Sequence, residues 1–458
     1  MGFDQNNAWA AAALDQFTQF SQTFYDPGSI FAQQIQYTTI GNTGWALSQS
    51  INSPQLSAID SPNCQSGWAV GNSGTILNTV DAAHSWSPQA GNVIGTVGSA
   101  NLYRATAESS THAYALEETL EFASAFHGFG GFNLRVFETT DGGRNWEPDI
   151  PGQSIATQGI SSGAGPYGGG GITSNSAGYA IAVGPGLVIS VQPGGTWDTI
   201  DESPAALACG SVDECYTAWQ AVSLSGTGDS AWAIDSVGDV IFEALPGSFR
   251  TWTQAGAPPA GGYYAIAAIS ASTAVILGGQ SNFSTPIAPN VPILRTTNAG
   301  ATWSPVTLNS STLLPQIALY AISINASGTG WAAGSNGTIL KTTDFGVSWT
   351  PQNWSDTSVT FCSVSITPDG TAAWVVGVKG QVCGYQFANG ASSPAPTVLL
   401  YQSAASSGWT DQSPYIGVTV INGVAAVDPN SAWIVGLDGA ILRTDTAGQF
   451  PFPKTPTP

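Results

Sequence analysis

Two stretches of the chain lie over one another almost without a gap: GWAVGNSGTILNTVDAAHSW at 67–86 and GWAAGSNGTILKTTDFGVSW at 330–349. A shorter third copy, AWIVGLDGAILRTDTAG, occupies 432–448. Each reads as a short apolar strand, a Gly-x-x-Gly turn, a second strand and a polar turn, and the two full copies end in Trp. Glycine supplies the positive φ of a tight hairpin, and the apolar runs suit strands buried on both faces. A unit of this size cannot bury its own faces, so copies must stack on one another.

The closing Trp serves as a ruler for the rest of the chain. It falls at Trp45, Trp86, Trp146, Trp197, Trp252, Trp303, Trp349 and Trp409, at intervals of 41 to 60 residues. That is about the length of a four-stranded propeller blade. Each interval also holds an upstream apolar strand, such as 265–269, 321–324 or 423–427. The final repeat, 423–448, has three strands and stops before its Trp, whereas the segment around Gly44-Trp45 has the missing strand and nothing before it. The expected fold is therefore all-β: one propeller over 35–450 with eight four-stranded blades, closed by the N-terminal strand. Seven blades would result if one divergent unit were an insertion. Closure removes the open sheet edges that invite aggregation.

Composition agrees. Of 458 residues, 55 are Gly and 28 Pro, too many for long helices, while 42% hydrophobic content excludes global disorder. No apolar run approaches the roughly 18 to 20 residues of a membrane-spanning helix. With 29 acids against 9 bases and a net charge of −20, the chain repels phosphate backbones, so no nucleic-acid partner is expected. The polar surface is written in Ser, Thr, Asn, Gln and Gly, which predicts an extracellular or cell-surface protein. Met1 is not followed by a leader pattern, which leaves a cytoplasmic protein or a secreted one whose leader was cut or never included, and the composition favours the second. Residues 451–458 read as the start of a Pro/Thr linker or as a frayed tail. Of the five cysteines, Cys209 and Cys215 could close a small loop in an oxidising compartment. Cys64, Cys362 and Cys383 are scattered without metal-ligand spacing, and with three histidines no metal site or cofactor is expected beyond weak Ca²⁺ binding by loop oxygens.

The turn before each closing Trp is the most specific part of the repeat. Thr139-Thr-Asp141-Gly-Gly143-Arg-Asn-Trp146 and Thr342-Thr-Asp344-Phe-Gly346-Val-Ser-Trp349 match the Asp-box pattern. Thr296-Thr-Asn298-Ala-Gly300-Ala-Thr-Trp303 carries Asn for Asp, Thr79-Val-Asp81-Ala-Ala83-His-Ser-Trp86 lacks the Gly, and Ser190-Val-Gln192-Pro-Gly194-Gly-Thr-Trp197 lacks the Asp. Such boxes resemble those of sialidases, sortilin-type receptors and xyloglucan-degrading propellers. The fuller unit looks most like the photosystem II assembly-factor propeller family and its bacterial extracellular relatives, over roughly residues 36–448. In that family partner binding involves a basic surface, which this chain has few bases to supply. The box is expected to work structurally: Asp accepts N–H groups of its own turn, Gly takes the left-handed position and Trp packs between blades.

Chemistry can be tested against this register. Sialidase action needs three arginines around a carboxylate. Arg295, Arg443, Arg135 and Arg144 lie in or beside boxes and Arg250 precedes Trp252, so only Arg104, on an inner strand, could face the central channel. Two-carboxylate glycoside hydrolysis has more material. Glu117, Glu118 and Glu121 are expected to begin a long turn, 118–133, that also carries His127. Asp201, Glu202, Asp213 and Glu214 occupy the connection 198–215, and Asp235 lies in the next hairpin. These acids are candidate catalysts, a solvated rim or a weak Ca²⁺ site. Thirteen of the sixteen tryptophans sit at repeat positions and are expected in the core. Trp9, Trp219 and Trp354 do not, and the last two are candidate stacking platforms for a sugar or an aromatic side chain. Glu214, His127 and Arg104 complete the expected binding set.

The segment 1–34 differs from the rest. Trp9, Ala13, Phe17, Phe20 and Phe24 follow one stripe of an amphipathic helix over 7–25, a candidate for docking on the propeller, a partner or a second copy. Three functions follow: a binding module for a glycan or surface protein, a polysaccharide hydrolase, or an assembly protein docking through that helix.

Overall fold

The computed structural model describes residues 7–11, 35–39, 46–50, 56–89, 102–148, 171–197, 219–259, 262–309, 317–380, 397–413 and 421–447. Short breaks within those ranges are 64, 72–73, 122–130, 176, 185–186, 196, 226–227, 236–237, 239, 245–251, 257, 280–292, 404–405, 407, 437–439 and 445–446. All the regular elements among the described residues are strands.

Eight antiparallel meanders succeed one another along the chain, each with its first strand innermost. The inner strands are Leu56–Asp60, Leu102–Ala107, Gly171–Ser174, Trp219–Leu224, Tyr263–Ser270, Leu319–Ile324, Val359–Ile366 and Ile421–Asp428. The third blade shows three strands and the sixth gains a fifth, Thr307–Leu308, parallel to Ser348–Pro351. The fold is the expected eight-bladed propeller. Its eighth blade is completed from the other end of the chain, where Ala46–Ser50 pairs antiparallel with Ala440–Thr444.

The apolar content explains why the blades stack. Eight core clusters occur among the described residues, each spanning two successive blades. One joins last to first, with Trp433, Val435 and Ile441 against Leu56, Leu77 and Trp86, so the ring has no seam without a core. Five of the closing tryptophans reach back to an aromatic ring of the preceding blade. Trp86 meets Trp433, Trp146 meets Trp68, Trp197 meets Tyr114, Trp303 meets Trp232 and Trp409 meets Trp331, all near edge-to-face, with centroids 5.0–6.2 Å apart. Such pairs each add about 0.5–1.5 kcal/mol beyond burial. Gly67 lets this approach happen at the seam, because a Cβ there would collide with the Trp433 ring.

One hydrogen-bond plan repeats in four closing turns. The Thr79, Thr139, Thr296 and Thr342 hydroxyls accept the N–H four residues on and donate to Asp81, Asp141, Asn298 and Asp344. Those side chains accept the N–H of Ser85, Asn145, Thr302 and Ser348. The turns run through two successive left-handed residues, including Ala82 (φ 58°) and Ala83 (φ 61°) where the second blade has Gly142 and Gly143. Each also donates an N–H to the first hairpin turn of its own blade, as Gly142 does to Thr111 and Phe345 to Gly328. Closing turns and first hairpins therefore share one face of the disc, and the inner strands begin on the opposite face.

Side-chain oxygens satisfy the open edges of the inner strands. Asp60 accepts the Ala107 N–H, Thr106 that of Ser174, Ser223 that of Ala268 and Ser365 that of Ala426, each one blade further round. Unpaired backbone donors at this depth would be costly.

The N-terminal expectation needs correction. Asn7–Ala11 is a strand paired with Ile35–Thr39, with Trp9 opposite Tyr37, and not the first turn of a helix. A partner strand rich in β-branched and aromatic residues overrides a helical stripe carried only by spacing. Phe17, Phe20 and Phe24 lie outside the described residues.

Candidate functional site

Most of the acids singled out from the sequence bear on cohesion or lie outside the described residues. Glu118 and Glu121 do not start a turn. They continue the strand Ala113–Glu121, opposite Leu134 and Gly131, because its ladder with Gly131–Thr139 runs unbroken over all nine residues. Asp235, fully buried, accepts the Gly238 N–H at 2.7 Å within its own hairpin. Asp201, Glu202, Asp213, Glu214 and His127 lie outside the described residues. Among the described residues no group of three or more His, Cys, Asp or Glu converges as a metal site, and no helix is long and apolar enough to cross a membrane.

The stacking platforms are also placed otherwise than expected. Trp219 is wholly buried, packed with Ile181, Val183, Val188 and Ile241 between the third and fourth blades. It occupies the first position of an inner strand, which Leu56, Leu102 and Leu319 fill elsewhere, and so is core. Trp354 is half-buried, edge-on to Phe361 at 6.5 Å and packed against the core between the sixth and seventh blades. Beside it the Lys379 ammonium meets Asp356 at 2.7 Å, and with the Ser358 hydroxyl it holds that carboxyl down at about 2. Arg104 is exposed on the inner strand of the second blade, as expected. Arg295 and Arg443 donate to the carbonyls of Phe345 and Ala82 in the closing turns of the next blade, so neither serves a carboxylate clamp.

Three features were missed. The first is an ionic cluster on the closing-turn face of the second blade. His112 lies 3.0 Å from Glu108 and 2.6 Å from Glu138, while the Tyr114 hydroxyl donates to Glu108. Glu108 and then Glu138 push the imidazole up to about 9 against the opposing effect of burial, so it is a cation at neutral pH. The second is Cys362, which is disulfide-bonded. Cys64, Cys209, Cys215 and Cys383 all lie outside the described residues, so the expected Cys209–Cys215 loop does too.

The third lies where the inner strands begin. Tyr264 and Tyr320 stand on adjacent inner strands, both half-buried, with ring centroids 5.0 Å apart and planes inclined by 56°. Burial pushes the Tyr320 phenol up to about 12, with the Tyr264 hydroxyl beside it adding to the shift. The backbone beneath is tightly locked. Gly279 (φ 138°) bridges Ala318 just before the sixth inner strand and donates to the Gly262 carbonyl. A Cβ on Gly279 would run into the Ile317 carbonyl, and one on Gly334 into that of Ala318. A rigid aromatic pair at the entrance of a ring can stack a flat or pyranose face and offer phenol hydroxyls to a polar ligand. The sequence signal was the Tyr263-Tyr264 and Tyr320 at equivalent places of two repeats.

No family model and no curated protein matches this chain. Solved structures do. YCF48 bound to D1 peptide aligns over 89% of this chain and 96% of its own at 13% identity, with a TM-score of 0.45. YCF48 from Cyanidioschyzon merolae aligns over 88% and 98% at 15% identity, with a TM-score of 0.43. The Niastella koreensis GH74 enzyme aligns over 86% and 70% at 13% identity, with a TM-score of 0.35. Likenesses this distant lend this chain no ligand and no reaction.

Proposed function

We propose that this protein is an extracellular or cell-surface binding propeller that recognises a glycan or a surface protein through the face on which its inner strands begin. The observation that carries the reading is the Tyr264–Tyr320 pair, set on two adjacent inner strands over backbone too closely packed to yield. Preorganised aromatics bind with little entropy lost on ordering. The disulfide at Cys362 supports an oxidising compartment. The closing turns, which we read as Asp boxes, spend their carboxylates on their own N–H groups, and this argues against catalysis there.

The test pairs binding with turnover. Labelled full-length protein is applied to a panel of insoluble polysaccharides and to intact cells, and reducing ends are measured in the same samples. Saturable binding without release of reducing ends is the expected result. Release that disappears in an Asp201→Asn/Asp213→Asn variant would replace this reading with a polysaccharide hydrolase. Absence of binding to every surface would overturn it outright.

A further inference from the structure

Register shifts recur at one place in the fold. Near its start the inner strand skips one residue against its neighbour in seven blades, between Leu56/Ala58, Leu102/Arg104, Trp219/Ala221, Tyr263/Ala265, Leu319/Ala321, Phe361/Ser363 and Ile421/Gly423. The residue before each skip is buried. A bulge inserts one residue that the ladder does not need and turns it away from the packed face. The inserted residues are Ser57, Tyr103, Gln220, Tyr264, Tyr320, Cys362 and Asn422.

Strand pairing does not dictate these identities, since the ladder resumes past each one, although Cys362 is held by its disulfide. Yet three of the seven are Tyr in a chain with only 13 tyrosines in 458 residues, and three more are Ser, Gln or Asn. The two tyrosines in adjacent blades meet ring to ring. Arg104, next to Tyr103 in the second blade, stands four blades round the ring from Tyr320, well away from that pair.

Resting on the binding reading above, we infer that the starts of the inner strands form a collar at the channel mouth that takes the end of a neutral glycan chain, with the bulged Tyr264 and Tyr320 as its stacking platform. Phenol rings fit the apolar face of a pyranose, and their hydroxyls fit its rim without demanding a charge. A charged peptide or uronate would meet no complementary charge on Tyr264 or Tyr320 themselves.

The experiment titrates the full-length protein calorimetrically with cellohexaose, xylohexaose, mannohexaose and maltohexaose, and with hexagalacturonate and chitosan hexamer as charged comparators. At least one neutral hexaose should bind more tightly than either charged one. Tyr264→Ala and Tyr320→Ala should each weaken it by about tenfold or more, as truncation of a central aromatic anchor does. Tyr264→Phe and Tyr320→Phe should retain most of the affinity, because the ring is kept. If an alanine variant loses its fold by circular dichroism, hydroxyl-radical footprinting of the wild type should instead show Tyr264 and Tyr320 protected by the bound hexaose. Binding that both alanine variants leave unchanged, footprints elsewhere, preference for a charged hexamer, or no neutral hexaose bound would each overturn the collar. Cell or polysaccharide binding that persists alongside any of those results would leave the broader binding reading standing.

Discussion

Thr342 shows how much one side chain does in a closing turn. Its hydroxyl, 1% exposed, accepts the Gly346 N–H at 3.0 Å and donates to Asp344 at 2.7 Å. Thr342→Val keeps the shape and orphans a buried donor, so it should cost about 1–3 kcal/mol in chemical denaturation. Ala82 holds a left-handed backbone where the second blade has Gly142, so Ala82→Gly should raise stability by about 1 kcal/mol. His112 gives a pH signature. Its folded value, about 9, lies above the ordinary 6.5, so the stability it contributes is full below about 6.5 and lost as pH rises through 9. The advantage of the wild type over His112→Gln in thermal melts should therefore be greatest near pH 6 and gone by about pH 10. A difference that does not vary with pH would refute the ion-pair account.

At the scale of the element, the inner strands carry both the cohesion and the candidate site. Ser223→Ala removes the acceptor for the Ala268 N–H on the next blade and should cost about 1–3 kcal/mol, unless water reaches the freed donor. Hydrogen exchange at Ala268 would show the loss directly. The strands were legible because glycines and tryptophans mark the turns between them. Trp219 was misread because only closing and second-strand tryptophans were counted in the register. It stands thirteen residues before Trp232, much as Leu56 stands twelve before Trp68, and that spacing identifies a buried first position. The bulges left no trace, since one extra residue in a strand of five to eight looks like ordinary sequence. The ion pairs of His112 likewise join a hairpin turn to a third strand and depend on a register that composition does not reveal. The N-terminal stripe misled because its first residues had a strand partner two dozen positions away.

The whole molecule depends on closure. Eight blades stack through eight shared cores, and the ring ends only because Ala46–Ser50 crosses to the strand Ala440–Thr444. The count of blades could be read from the tryptophan intervals, and so could the split last blade, because a three-stranded end and an orphan first strand complement one another. Without closure the mouth is no ring, and the collar of inner-strand starts has no geometry. Hydrogen exchange read by mass spectrometry on the intact protein tests this most directly. Peptides covering 46–50 and 440–444 should exchange together, as slowly as the second strands Gly67–Gly71 and Gly330–Gly334, and deleting residues 46–50 should speed exchange in 440–444. Rapid exchange of 46–50 beside a protected 440–444, or a deletion that leaves 440–444 protected, would contradict the closed ring.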